Sequence, residues 1–328
     1  MKKALFFMII PIYLVSCHKN KNNGTQVISC DSYMIGVAYV SPGTVGTNVT
    51  IVTTDANTGQ IIKNYKNAIQ VGDNYFEAMG AYDHLHTSYY LCGSINASNA
   101  TELYKFNAST GITYLLGYPH LLDTAGGSLK NLICNSTTNK LYFFCNDYYT
   151  SENAIYEITP NDTSFTQKLV FDTGNNSNSI QIYSPIINEN TGYIYFFINS
   201  ASGTDCLMKI NPDNGASSFV AYSIISPFGL IYNNNDGLFY GLNVYHFAYA
   251  PYNSASASFI SIDPVTGAVT SIIDTISGYD GSTNTAFDFC NNTFVLLGER
   301  TTTWYELATG KVVKQLNYQS PIGNVGIY

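Results

Sequence analysis

The chain has 328 residues, 45% of them hydrophobic and only 11% charged, with 14 basic and 22 acidic side chains and a formal net charge of −8. Arg300 is the sole arginine. Phosphate recognition needs clustered Lys and Arg, so this balance excludes a nucleic-acid partner; the length suffices for a large core carried as one domain.

In chain order, Met1-Lys-Lys3 is a basic start, and residues 4–15 are almost wholly apolar but too short to span a bilayer. The run ends Leu14-Val15-Ser16-Cys17. This order of charge, apolar run, small residue and Cys resembles the bacterial lipobox. The resemblance implies a signal peptide over residues 1–16 and acyl chains on Cys17, which would anchor the protein to a lipid bilayer. Losing Lys2 and Lys3 leaves 12 basic against 22 acidic groups, a net charge of −10. Residues 17–29 read as a polar tether. The tether has neither an Asp directly after Cys17 nor an acidic run. The expected location is therefore the outer membrane, on its periplasmic face or at the cell surface.

The rest of the chain, 30–328, is organised by a repeat. Thr54-Asp-Ala-Asn-Thr-Gly59 returns as Phe106-Asn-Ala-Ser-Thr-Gly111, then at Ile158, Ile210 and Ile262, each 52 residues after the last. A sixth copy, Tyr305-Glu-Leu-Ala-Thr-Gly310, follows after 43. A period of about 40–50 residues marks an array of one supersecondary unit. The phrase is turn chemistry, with Asp or Asn before Thr-Gly. Short β-rich runs flank it, as in Ser258-Phe-Ile-Ser-Ile262 and Val269-Thr-Ser-Ile-Ile273, which predicts a hairpin.

Upstream in each period lies a stronger apolar run, such as Tyr89-Tyr-Leu-Cys92, Leu141-Tyr-Phe-Phe-Cys145 and Ile194-Tyr-Phe-Phe-Ile198. Before it comes a run rich in small residues, such as Ser184-Pro-Ile-Ile187. Four short strands per period and no helical periodicity predict an all-β, six-bladed β-propeller of four-stranded antiparallel blades. The small-residue run would be the innermost strand, and the apolar run a second strand buried on both faces. Residues 31–38 look like a second strand with no first, and residues 322–328 like an innermost strand with nothing after it. Their pairing would close the ring and leave no free edge.

Six cysteines remain after Cys17: Cys30, Cys92, Cys134, Cys145, Cys206 and Cys290. They allow fifteen pairings and lack metal-type spacing, so no pairing is assigned and no metal or cofactor is expected.

Candidate binding residues sit in the segments expected to join second to third strands. They are Tyr148 and Tyr149 in one blade and Tyr245, His246, Tyr249 and Tyr252 in another, with Tyr279 between blades. Tyr rings with polar neighbours stack on sugar faces or anchor a protein partner. Other candidates are weaker. His84-Leu-His86 after Asp83 puts two imidazoles near each other, but at a turn on the opposite rim. Asp213-Asn-Gly215 and Asp280-Gly-Ser282 have calcium-like residues that turns need anyway. Asp288 and Glu77 are carboxylates on expected innermost strands, where a paired acid and base would serve an enzyme at the channel.

The repeat phrase resembles the broad superfamily of YVTN and quinoprotein-like propellers, and the chain as a whole resembles β-propeller lipoproteins of Bacteroidetes bacteria. Trp304 is the sole Trp, so no pyrroloquinoline site carries over. The expectation is an envelope-anchored, non-enzymatic binding or scaffold module for a glycan or envelope protein; the alternative is a propeller enzyme of lyase, lactonase or glycosidase type.

Overall fold

The computed structural model describes residues 13–15, 33–39, 48–55, 58, 60–70, 76–95, 101–119, 127–147, 152–173, 181–199, 205–223, 227–245, 256–273, 275–276, 284–288, 291–297 and 301–317. All regular structure in them is strand, in four-stranded antiparallel sheets.

Sheet 1 joins β1 (Tyr13–Val15), β2 (Tyr33–Tyr39), β3 (Asn48–Asp55) and β4 (Ile61–Gln70). Sheet 2 joins β5 (Phe76–Asp83), β6 (Ser88–Ile95), β7 (Thr101–Asn107) and β8 (Ile112–Gly117). Sheet 3 has β9 (Gly127–Asn135), β10 (Lys140–Asp147), β11 (Asn153–Pro160) and β12 (Phe165–Asp172). Sheet 4 has β13 (Gln181–Ile187), β14 (Ile194–Asn199), β15 (Asp205–Ile210) and β16 (Ser217–Ser223). Sheet 5 has β17 (Pro227–Tyr232), β18 (Phe239–Tyr245), β19 (Ser256–Ile262) and β20 (Val269–Ile273). Sheet 6 has β21 (Asn284–Asp288), β22 (Thr293–Leu297), β23 (Thr301–Glu306) and β24 (Val312–Asn317).

Two compact units hold these sheets. One gathers residues 1–74 with 282–328, hence sheets 1 and 6; the other spans 75–281 and holds sheets 2–5. In the second unit the first strands β5, β9, β13 and β17 are neighbours in succession.

The strand runs fall where the residues put them, but the blade count needs correction. Five sheets, 2 to 6, are complete blades of four consecutive strands from the expected domain, where six were expected. Sheet 1 takes its fourth strand from Tyr13–Val15, inside the stretch read as a signal peptide. Tyr13 pairs with Ile35, Leu14 with Met34 and Val15 with Tyr33. The reason is the exposed backbone edge of β2, whose N–H and C=O groups any short extended run can satisfy. Residues 322–328, expected at that edge, lie outside the described residues.

Second strands are buried on both sides. Tyr89 to Cys92, Leu141 to Cys145 and Ile194 to Phe197 are all inaccessible or nearly so. Alternate side chains serve alternate neighbours. Tyr142 and Phe144 of β10 share a core with Ile194 and Phe196 of β14. Tyr195 and Phe197, the other set on β14, share the next core with Phe239, Ile260 and Ile262 of sheet 5. Fourth strands are the outer edges and stay half exposed, with Ile112, Leu169, Phe219 and Val313 among their open side chains.

The repeat phrase forms the turn between third and fourth strands. In its full form a backbone N–H of the Gly reaches back four residues, as from Gly111 to Asn107, Gly215 to Asn211, Gly267 to Asp263 and Gly310 to Glu306. The copy at Ile158 has no Gly and makes a tighter turn, with the Asn161 N–H donating to the Ser164 carbonyl.

Candidate functional site

Cys17, Tyr148, Tyr149, His246, Tyr249, Tyr252 and Tyr279 lie outside the described residues, as do Cys30, Cys290 and Asp280. Tyr245 is the last residue of β18, where its backbone pairs with Ser256 at the start of β19. The segment between them, 246–255, therefore joins a second to a third strand. So does 148–152, between β10 and β11. Glu77 lies in β5 opposite Ser94.

The carboxylate of Asp288 is buried and serves its own turn. One oxygen accepts the backbone N–H of Asn291 at 3.1 Å and the other accepts the Asn291 side-chain amide at 2.8 Å. This position is part of a second repeat that the sequence reading missed. Asp83, Asn135, Asn188, Asn233 and Asp288 each end or directly follow a first strand, each is buried, and each accepts a backbone N–H two or three residues on. The signal was present at intervals of 52, 53, 45 and 55 residues, hidden because Asp and Asn are frequent everywhere in this chain.

Three of these turns, in sheets 2, 3 and 4, meet in a hydrogen-bonded cluster. The His84 N–H donates to Ser136 Oγ at 3.2 Å, and the Ser136 N–H donates to Glu189 Oε1 at 3.1 Å. His84 Nε2 lies 3.9 Å from Glu189 Oε2. Asp83 receives the N–H groups of Leu85 and His86 on Oδ1 and holds His86 Nδ1 at 2.8 Å from Oδ2. Next to it, Tyr90 Oη donates to Asn139 Oδ1 at 3.2 Å. Burial pushes the Cys134 thiol well above its usual range, and the charges of Asp83 and Glu189 add to the rise. A thiol held protonated this way is a poor nucleophile. His84 and His86 thus belong to a polar seam that ties three blades together. Among the described residues, no group of three or more His, Cys, Asp or Glu is arranged to hold a metal ion.

No protein-family model matches the sequence, and no curated protein sequence does either. Solved structures do match in fold. The nidogen/laminin complex structure aligns with a TM-score of 0.56 at 10% identity, over 87% of this chain and 94% of that one. TolB from Acinetobacter baumannii aligns at 0.53 and 13%, over 86% of this chain and 65% of TolB. A prolyl endopeptidase aligns at 0.51 and 11%, over 95% of this chain but 43% of the peptidase. At these identities the likeness is one of fold. The chain is an all-β propeller with four-stranded antiparallel blades.

Proposed function

We propose that this propeller is an envelope-anchored lipoprotein acting as a non-enzymatic binding or scaffold module. Its contact surface is the Tyr-rich rim formed by residues 148–152 and 246–255, and its partner is a glycan or an envelope protein. The observation behind the reading is topological. Both segments join second to third strands in blades of the same unit, so they leave their sheets at the same end. The opposite end is occupied by buried Asx turns and by the Asp83, His84, Ser136 and Glu189 seam, whose polar groups already hold one another. Aromatic side chains on long connections above a rigid scaffold are the usual makings of a binding site.

Processing of such a lipoprotein hydrolyses the Ser16–Cys17 peptide bond, and this would remove residues 1–16 and with them Tyr13–Val15, vacating the place beside β2. Residues 322–328 are the segment we assign to that place in the mature protein.

The test is a glycan-array and polysaccharide pull-down screen with anchor-free residues 24–328, followed by a crosslinking search for protein partners in native envelopes. We expect one polysaccharide class or one protein to be retained, and the variant Tyr245→Ala/Tyr249→Ala/Tyr252→Ala to lose it with no change in Tm. Retained binding in that variant would remove the rim from the proposal.

A further inference from the structure

We propose that Cys92 and Cys145 form a disulfide that staples the second blade to the third when the chain folds in oxidising surroundings. The inference rests on the proposed export for its oxidant, and on the strand registers for its geometry.

Register places both thiols in one interface. Counting from the turn pairs Asp83–Ser88 and Asn135–Lys140, Tyr90 of β6 corresponds to Tyr142 of β10, and Cys92 to Phe144. Tyr142 and Phe144 pack onto the next blade, sheet 4. By the two-residue alternation of a strand, Tyr90 and Cys92 therefore pack onto sheet 3, and the Tyr90 hydroxyl does reach Asn139 there. Cys145 follows Phe144 and so points the other way, back toward sheet 2. The extra residue near it lies on β9, between Asn131 and Leu129, while β10 keeps an unbroken register with β11. The equivalent pair one interface along is Phe144 and Ile198, and these share a core.

The other described thiols are elsewhere. Cys134 pairs with Leu141 beside the turn, whereas Cys145 pairs with Leu129 toward the far end of β10. Cys145 lies four residue steps along the strand from Leu141, about 13 Å. Cys206 lies in β15 of sheet 4.

Both thiols are fully or almost fully buried. Burial pushes Cys145 up to about 12 and Cys92 well above the usual range, with the Cys145 charge adding at Cys92. Thiols held protonated and shielded exchange slowly, so the bond forms before the two blades close. In that step the two thiols give up two protons and two electrons and become one S–S bond. The electrons pass to the disulfide of an exported thiol oxidant or of oxidised glutathione, which is cleaved to two thiols.

The experiment refolds full-length protein from denaturant in mixed oxidised and reduced glutathione, blocks thiols under denaturing conditions, and maps unreduced peptides. We expect one linked species joining the Cys92 and Cys145 peptides. Its Tm should exceed that of the fully reduced protein by about 5–15 °C, given a closed loop of about fifty residues. Cys92→Ala, Cys145→Ala and the double variant should lose that increment equally. Free alkylated Cys92 and Cys145 after oxidative refolding, or linkage of either to another cysteine, overturns the proposal, and the wild-type peptide map decides it even where a variant fails to fold. The same map on protein alkylated inside native cells separates the two readings. Linkage in glutathione with free thiols in the cell keeps the pairing and removes the export.

Discussion

The imidazole of His86 rests on Asp83, with Nδ1 2.8 Å from Oδ2, while Oδ1 of the same carboxylate takes the N–H groups of Leu85 and His86. Asp83 is inaccessible to solvent, whereas the His86 side chain is 51% exposed. The carboxylate is therefore the structural member of the pair.

Asp83→Ala leaves two backbone donors without their acceptor and should cost about 2–3 kcal/mol. His86→Ala should stay within about 1 kcal/mol, because its side chain is half exposed and buries little area. Urea unfolding midpoints at constant slope check the ranking. Equal losses in both variants would show that the turn does not depend on Asp83.

Phe196 is fully buried and sits edge-on to Phe144, with centroids 6.4 Å apart, and tilted against Phe171 at 5.7 Å. Phe196→Ala should cost about 3–5 kcal/mol through lost burial and a residual cavity. Phe219 on the outer strand is 51% exposed, and Phe219→Ala should cost less than about 1 kcal/mol. Chemical denaturation of the two variants side by side reads the difference.

Gly267 and Gly192 share a positive φ, +71° and +73°, but differ in surroundings. A Cβ on Gly267 would sit 2.2 Å from the Ala221 Cβ, whereas one on Gly192 meets nothing within 4 Å. Gly192→Ala should therefore cost about 1 kcal/mol for backbone strain alone. Gly267→Ala should cost about 1–3 kcal/mol more for the forced shift of Ala221. Thermal melts that rank the two equally would contradict the close packing of this turn on β16.

Asp263 accepts the N–H groups of Val265 and Thr266 and the Thr266 hydroxyl, and these bonds, the Val265 N–H first, hold its carboxyl below the usual range. A folded value below the unfolded one adds stability that is full above the unfolded aspartate value of about 4 and is lost as pH falls through the folded value. Asp263→Asn keeps the turn acceptor but does not titrate. The variant should lose less stability than the wild type between pH 5 and the acid limit, at about one proton less uptake on unfolding. Parallel pH profiles of the unfolding midpoint would refute the assignment.

Removing residues 322–328 from the mature, anchor-free chain should leave β2 paired with β3 alone and its other edge open. We expect a Tm lower by about 5–10 °C and faster amide exchange in Tyr33–Tyr39. An unchanged Tm and unchanged exchange would show that this segment does not pair with β2.

Much of the strand pattern was readable from residues alone. Leu141-Tyr-Phe-Phe-Cys145 announces a strand buried on two sides because no position in it tolerates water, and Asp263 to Gly267 announces a turn because an Asx acceptor and a positive-φ glycine stand four residues apart. The polar seam was not readable. Its partners His84, Ser136 and Glu189 stand 52 and 53 residues apart in the chain, each just after a repeated Asp or Asn that is lost among the many Asp and Asn of this sequence. The Tyr-rich candidates were chosen on loop length and composition, and the structure adds only that both segments join strands of the same rank.

What the sequence determined by itself is the repeat unit: four short strands, a fixed turn between the third and fourth, and the alternation that fills each interface. These depend on interactions reaching a few residues along the chain. Which run lies against β2, how many blades are complete, and which turn groups meet across three blades were decided by tertiary structure. The seam joins residues 52 and 53 apart in the chain, and Tyr13–Val15 beside Tyr33–Tyr39 is a pairing of shorter range. A backbone edge accepts any extended partner, so composition alone does not choose among them.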